Sequence, residues 1–183
     1  GDDQRQHVEL MREIARRFNE RFGETLVVPE LVVPEVGARI MDLQEPERTM
    51  STTGGTEAGT VLVLDEPDAI RKKLGSAVTD SGREVVRAAD KPGVTNLIDI
   101  LAVARGVGPE AIEAEFAGAG YGDLKKAVAE GVVDLLAPVR ERYDQLRPDE
   151  GALDAVLAAG AERARAIAGP IVAEVRGRMG FQE

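Results

Sequence analysis

The sequence predicts a mainly α-helical fold, with a small helical bundle attached to the end of an α/β unit. Three observations lead there. From Pro67 onward, apolar residues recur at three- and four-residue steps with charged residues between them, the period of an amphipathic helix. The opening stretch through Phe22 has the same period. Between them, Leu26 to Val36 is β-branched and punctuated by prolines, which suits extended chain, and residues 45–60 have no apolar period.

Each element follows from its own pattern. Val8, Met11, Ile14, Ala15, Phe18 and Phe22 mark the first helix, with Asp2 or Asp3 as its cap and Gly23 as its stop. Ala38, Ile40 and Met41, within Gly37 to Leu43, read as a buried strand end or a turn. The segment EPERTMSTTGGTEAGT at 45–60 reads as a mobile loop. After the brief apolar run Val61 to Leu64, Asp65, Pro67 and Asp68 start a helix marked by Ile70, Leu74 and Val78. Leu97, Ile98, Leu101 and Ala102 mark the next, opened by a KPGVTN turn at 91–96, and Ala111 to Phe116 gives a short one. Leu124, Val128, Val132, Leu135, Leu136, Val139, Tyr143 and Leu146 then trace a stripe about six turns long, with a kink expected at Pro138. The last helix carries Leu153, Val156, Leu157, Ala164, Ile167 and Ile171, with Pro170 as a second expected kink.

Composition limits the chemistry. At 183 residues the chain makes one domain, or one and a piece of another. No run of apolar residues is long enough for a membrane-spanning helix. The absence of cysteine excludes disulfides, thiolate metal sites and thiol nucleophiles, and fits a reducing, cytoplasmic compartment. A single histidine rules out a histidine-rich zinc site, so no metal-ligating residue is expected. The net charge of −10 argues against generic nucleic-acid binding, and no DNA partner is expected, although a local basic face remains compatible with it. The chain opens at Gly1 directly into helix, which reads as a cut from something longer or as a processed or engineered terminus.

Four places offer chemistry beyond packing. Gly1-Asp2-Asp3-Gln4 combines a glycine that lets backbone approach a ligand with a helix amino terminus and hydrogen-bonding side chains; by pattern alone it is a helix cap. His7 has no spaced partner for a triad or metal site and is assigned no catalytic role. Gly37 to Met41 is by pattern a packed strand end. Thr49-Met50-Ser51-Thr52-Thr53, followed by Gly54-Gly55, offers hydroxyls and a backbone free to wrap a phosphate. Arginines 140, 142, 147, 163, 165, 176 and 178 stud the tail, where glutamates such as Glu141 and Glu162 make a solvated helix face the competing reading.

The order and content of several segments carry a resemblance. GDDQRQHVEL (1–10), RFNERFGETLVVPE (17–30), VGARIMDLQEP (36–46), LDEPDAIRKKLGSAVTDSG (64–82), KPGVTNL (91–97), FAGAGYGDLKKAVAE (116–130), APVRERY (137–143) and GAERARAIA (160–168) resemble the carboxy-terminal half of the bacterial-type tryptophanyl-tRNA synthetase family, a class I family. The resemblance implies that residues 1–60 end a Rossmann-type catalytic domain, including a signature loop at 48–55, and that 61–183 form a helical, anticodon-side domain. It implies ATP-dependent activation of tryptophan, transfer to tRNA(Trp), magnesium with the ATP, and a homodimer. By the same resemblance Gly1, Asp2, Asp3 and Gln4 contact ATP and help close the tryptophan pocket. Backbone near Ile40 faces adenine, with Met50 also on the nucleotide, and Thr49, Met50, Ser51, Thr52 and Thr53 form the catalytic loop.

Two departures matter. The family's loop is Lys-Met-Ser-Lys-Ser, whose lysines stabilise charge moving onto pyrophosphate; here both lysine positions are threonine, Thr49 and Thr52. Losing one preorganised group of this kind costs about 3–4 kcal/mol of transition-state stabilisation. Arg48, Lys72 and Lys73 are the nearby cations that can compensate. The second departure is that the family's HIGH-type sequence does not occur in the chain, so the isolated chain is expected to be inactive. The competing reading is a non-catalytic paralogue or fragment acting as an RNA- or protein-binding helical module.

Overall fold

The structure, a computed structural model, describes residues 2–181. It resolves into two compact units, Gly1–Val33 with Asp144–Glu183, and Pro34–Tyr143. The boundary expected from the sequence, after residue 60, falls inside the second of these units.

In the first unit a 3-10 turn, Asp2–Gln4, leads into α1, Arg5–Phe22. The cap position falls on Gln4, without a side-chain bond, rather than on Asp2 or Asp3 as expected, and the Asp3 carboxylate is taken by the Gln4 amide at 2.9 Å. Gly23 stops α1 as expected, with φ of 88° and its N–H bonded to Asn19 O. Residues 24–33 form neither helix nor ladder, and bend at Glu24 and Leu26. They are held instead by Asn19, whose side chain accepts from the N–H of Thr25 and Leu26 and donates to Leu26 O. The other helix of this unit, α6, Glu150–Arg178, opens on Asp149, whose carboxylate accepts from Ala152 N at 2.9 Å.

The second unit contains α2 (Pro67–Gly75), α3 (Pro92–Arg105), α4 (Pro109–Glu115) and most of α5 (Tyr121–Leu146). A proline opens each of the first three, at the helical position where its fixed φ fits and its missing N–H costs nothing. That corrects two expectations. The KPGVTN segment is largely the first turn of α3, not a turn ahead of it. Val78 lies beyond the end of α2, because its N–H pairs with Leu43 O at 2.7 Å.

The core sits in this second unit. Leu43, Ile70, Leu74, Leu97, Ile98, Leu101, Ile112, Leu124 and Val128 are all at most 2% exposed. The stripe on α5 is only half used: Leu124, Val128 and Val132 are buried, while Leu135, Val139, Tyr143 and Leu146 face solvent. Helices α5 and α6 continue through Pro138 and Pro170. The mainly helical class stands. Among the described residues there is no β-strand, and an antiparallel bridge between Met41 and Thr49 is the nearest approach to one. No helix among them is long and apolar enough to cross a membrane.

Candidate functional site

Residues 40–50 form a small hairpin. Asp42 N donates to Arg48 O at 2.8 Å, Met50 N to Ile40 O at 2.9 Å, and Arg48 N closes the Pro46-Glu47 turn on Glu45 O. Thus Ile40 and Met50 are joined by a main-chain hydrogen bond, next to the bridge between Met41 and Thr49. The outer edge of Met41 is clasped by Asn96 of α3: its side-chain oxygen accepts Met41 N and its amide donates to Met41 O, both at 2.8 Å. Asn96 is 4% exposed and takes the part of a neighbouring strand. Sequence reasoning missed it, although an asparagine amid Val94, Leu97 and Ile98 was a visible signal.

The segment after Met50 is a set of turns. Ser51 Oγ accepts from the N–H of Thr53 (3.3 Å) and Gly54 (3.2 Å), while Ser51 O accepts from Gly55 N (3.2 Å) and Thr60 Oγ1 (3.1 Å). Under it lies the buried Asp42 carboxylate, accepting from Gln44 N and Glu45 N at 2.8 and 3.1 Å. Gly59 packs on that carboxylate so closely that a Cβ there would fall 2.0 Å from its oxygen, and Gly59 O accepts from Leu43 N. Residues 45–60, expected as a mobile loop, are fastened at both ends to Asp42-Leu43. Beside the turns is a cleft of about 130 Å³ lined by Ser51, Thr52, Gly55, Thr56, Thr60 and Lys73, among others. Hydroxyls of Ser51, Thr52, Thr56 and Thr60 and the Lys73 ammonium line the cleft together with the Glu57 carboxylate, while the N–H groups of Thr53, Gly54 and Gly55 are taken by Ser51.

The three nearby cations differ in state. Arg48 bridges the loop, with Nη1 on Glu45 at 2.7 Å and Nη2 donating to Gly54 O at 3.1 Å. Glu45, by hydrogen bond and by charge, holds the guanidinium above its ordinary pKa. Lys73 is pinned at 2.6 Å to Asp65 and at 2.9 Å to Thr60 O, with side-chain exposures of 13% and 14% for the ion pair. Lys72 is exposed and lines a neighbouring groove with Glu57 and Ala58.

Ile40 and Met50 also share an apolar cavity of about 170 Å³ with Val61, Leu74, Ile100 and Val103. The remaining expected nucleotide residues belong to the other unit: Gly1 lies outside the described residues, and Asp2 to Gln4 form the 3-10 turn. The Gln4 hydrogen bond keeps the Asp3 carboxyl below its ordinary range. Exposed His7 meets Gln4 Oε1 through Nδ1 at 3.0 Å. In the tail, Arg147 pairs with Glu150 and Arg178 with Glu174, and Arg140 donates to Asp65 O. Arg163, Arg165 and Arg176 are exposed on α6.

Comparison with known proteins gives this site its context. The family model described as tRNA synthetases class I (W and Y) matches residues 1–137. The chain is 51% identical over 173 residues to tryptophan–tRNA ligase 1 of Streptomyces avermitilis, covering 94% of this chain and 52% of that protein. It is 44% identical over 182 residues to the tryptophan–tRNA ligase of Mycobacterium leprae, covering 99% and 53%. The crystal structure of tryptophanyl-tRNA synthetase from Mycoplasma pneumoniae superposes with a TM-score of 0.89 at 31% identity, over all of this chain and 56% of that one. The chain spans about half the length of the curated relatives it matches. By this sequence match and this fold, it belongs to the class I tRNA synthetases of the tryptophan and tyrosine group.

Proposed function

We propose that this chain is part of a tryptophan–tRNA ligase, which makes tryptophanyl-adenylate from ATP and tryptophan and transfers the aminoacyl group to tRNA(Trp) in protein biosynthesis. The observation that carries the reading is the hairpin that pairs Ile40 with Met50 and presents the Ser51–Thr53 turn beside a polar cleft. Here Ile40 and Met50 form the adenine side, and Thr49, Met50, Ser51, Thr52 and Thr53 handle the phosphates. Gly1, Asp2, Asp3 and Gln4 serve ATP and the tryptophan pocket. As the tryptophan carboxylate attacks the α-phosphorus, negative charge moves onto the leaving pyrophosphate, and the loop's hydroxyl groups receive it. Magnesium accompanies the ATP phosphates.

Residues 1–60 serve the catalytic domain and 61–183 the transfer-RNA side, where exposed Arg163 and Arg165 offer charge to an RNA backbone. A homodimer is supported by the uncovered apolar residues Leu10, Met11 and Ile14 on α1 and Val156, Leu157 and Ile167 on α6. The ligase works in the cytoplasm, consistent with a chain without cysteine.

Tryptophan-dependent exchange between ATP and pyrophosphate tests this. The full-length protein exchanges above background and the isolated 183-residue chain does not. Full-length protein that binds ATP without exchange would leave the threonines at 49 and 52 as marks of a non-catalytic, binding module. Turnover by the isolated chain would overturn its dependence on further residues.

A further inference from the structure

A loop that handles a pyrophosphate leaving group needs a full positive charge, and the segment 45–60 contains one lysine or arginine, Arg48. Its neighbours on α2 are worse placed. Lys73 is already committed to Asp65 at 2.6 Å in a largely buried pair that also supports Thr60, so withdrawing it strands a desolvated carboxylate. Lys72 lines a neighbouring groove with Glu57 and Ala58; in this state neither it nor Arg48 lines the cleft at Ser51 and Thr52, so the choice between them rests on which one is tied to the loop itself.

Arg48 is different in three ways. It directly precedes Thr49-Met50-Ser51. Its side chain is 59% exposed and its partner Glu45 50%, so exchanging a contact carries little desolvation cost. Its bond to Gly54 O spans the whole TMSTT segment, so it fastens the turn that would wrap a phosphate. A guanidinium has five donors in a fixed fork, and the two recorded contacts leave others for an oxyanion.

Resting on the ligase reading above, we infer that Arg48 is the phosphate-facing cation of this loop, held in reserve on Gly54 O by Glu45 and transferred to the pyrophosphate moiety when ATP enters. Glu45 keeps one side of the guanidinium fixed as a positioning residue. Giving up the Gly54 carbonyl then frees Gly54-Gly55 to close on the phosphates, so charge neutralisation and loop closure are one exchange.

The test uses the full-length protein with Arg48→Ala, Arg48→Lys, and Arg48→Ala combined with Thr49→Lys. Two readouts are taken: tryptophan-dependent ATP–pyrophosphate exchange, and calorimetric binding of magnesium pyrophosphate. Arg48→Ala lowers the exchange kcat on the order of 100-fold with the KM for tryptophan unchanged, and weakens pyrophosphate binding by about tenfold or more. Arg48→Lys retains part of both. Lysine at 49 restores Arg48→Ala, because the same charge returns one residue along, and unchanged circular dichroism and Tm exclude loss of fold. Exchange and binding within threefold of wild type for Arg48→Ala, or no rescue by Thr49→Lys, would overturn the assignment. If wild type shows no exchange while Arg48→Ala still loses pyrophosphate binding, the ligase reading fails and the Arg48 assignment stands.

Discussion

The two compact units are made of helices with the same apolar period, yet they use it in opposite ways. In the unit 34–143, α2 to α5 turn their stripes onto one another and bury Ile70, Leu74, Ile98, Leu101, Leu124 and Val128 almost completely. In the other unit Ala15 is the buried apolar residue among those described, and α6 buries none along its whole length. The helices also differ in length: α2, α3 and α4 run 9, 14 and 7 residues, whereas α1 and α6 run 18 and 29. A periodic stripe fixes which face of a helix is apolar; it does not supply the surface that covers it.

The sharpest way to break that comparison is to delete core volume. Ile98→Ala, at a site with no exposure, costs about 3–4 kcal/mol by lost transfer energy and cavity formation, read as a fall in the urea midpoint of the chain. A loss under about 1 kcal/mol would mean that the packed unit is no better consolidated than the exposed one. Asn96→Ala comes next. It removes both bonds to Met41 and leaves two main-chain groups without their buried partner, at about 2 kcal/mol or more. Faster amide exchange at 40–50 should accompany it, because Asn96 stands where a strand would; unchanged exchange there would remove its positioning role.

These two residues also mark what was legible. Ile98 could be assigned to the core because helical period is local, and the α2–α5 pattern needed no more than neighbours three and four apart. The clasp by Asn96 joins residues 55 apart, and a polar side chain inside an apolar run gives no hint of which backbone it will meet. The hairpin was hidden for a related reason: its Pro46-Glu47 turn lacks the Asn-Gly or Asp-Gly signature of a tight hairpin, so 45–60 read as loop. Of the candidate site, resemblance pointed to Ile40 and Met50 separately. Their pairing, and the span of Arg48 across the turn, came only from tertiary geometry.

A smaller effect probes the link that seats α5. Tyr121 OH donates to both Asp80 oxygens at 2.9 Å, and Lys91 Nζ donates to that hydroxyl at 3.2 Å. Burial pushes the Asp80 carboxyl up, but the Gly82 N–H, the Tyr121 hydroxyl and the Lys91 charge outweigh it and hold the group below its ordinary value. A depressed carboxyl contributes stability that is present above its unfolded pKa, near 4, and is lost as pH falls through the folded one. Tyr121→Phe should therefore lower stability at neutral pH and by less at an acid pH below the folded Asp80 value, where that carboxyl is protonated. An equal gap at both values would uncouple the tyrosine from Asp80.

The smallest expected effect is the one that tests the exposed unit itself. Val156 and Ile167 are 67% and 71% exposed, so replacing each with alanine removes surface that the chain does not bury. Alanine is also the better helix former than a β-branched residue, by a few tenths of a kcal/mol, which works in the variant's favour. Val156→Ala and Ile167→Ala should leave the unfolding free energy of the 183-residue chain within about 0.5 kcal/mol of wild type. A loss above about 1 kcal/mol would show that α6 finds a covering surface within this chain, and the contrast between the units would collapse. If the loss appears only in the full-length protein, and grows with protein concentration held low, the covering surface belongs to a second copy, since dissociation then contributes to the measured stability.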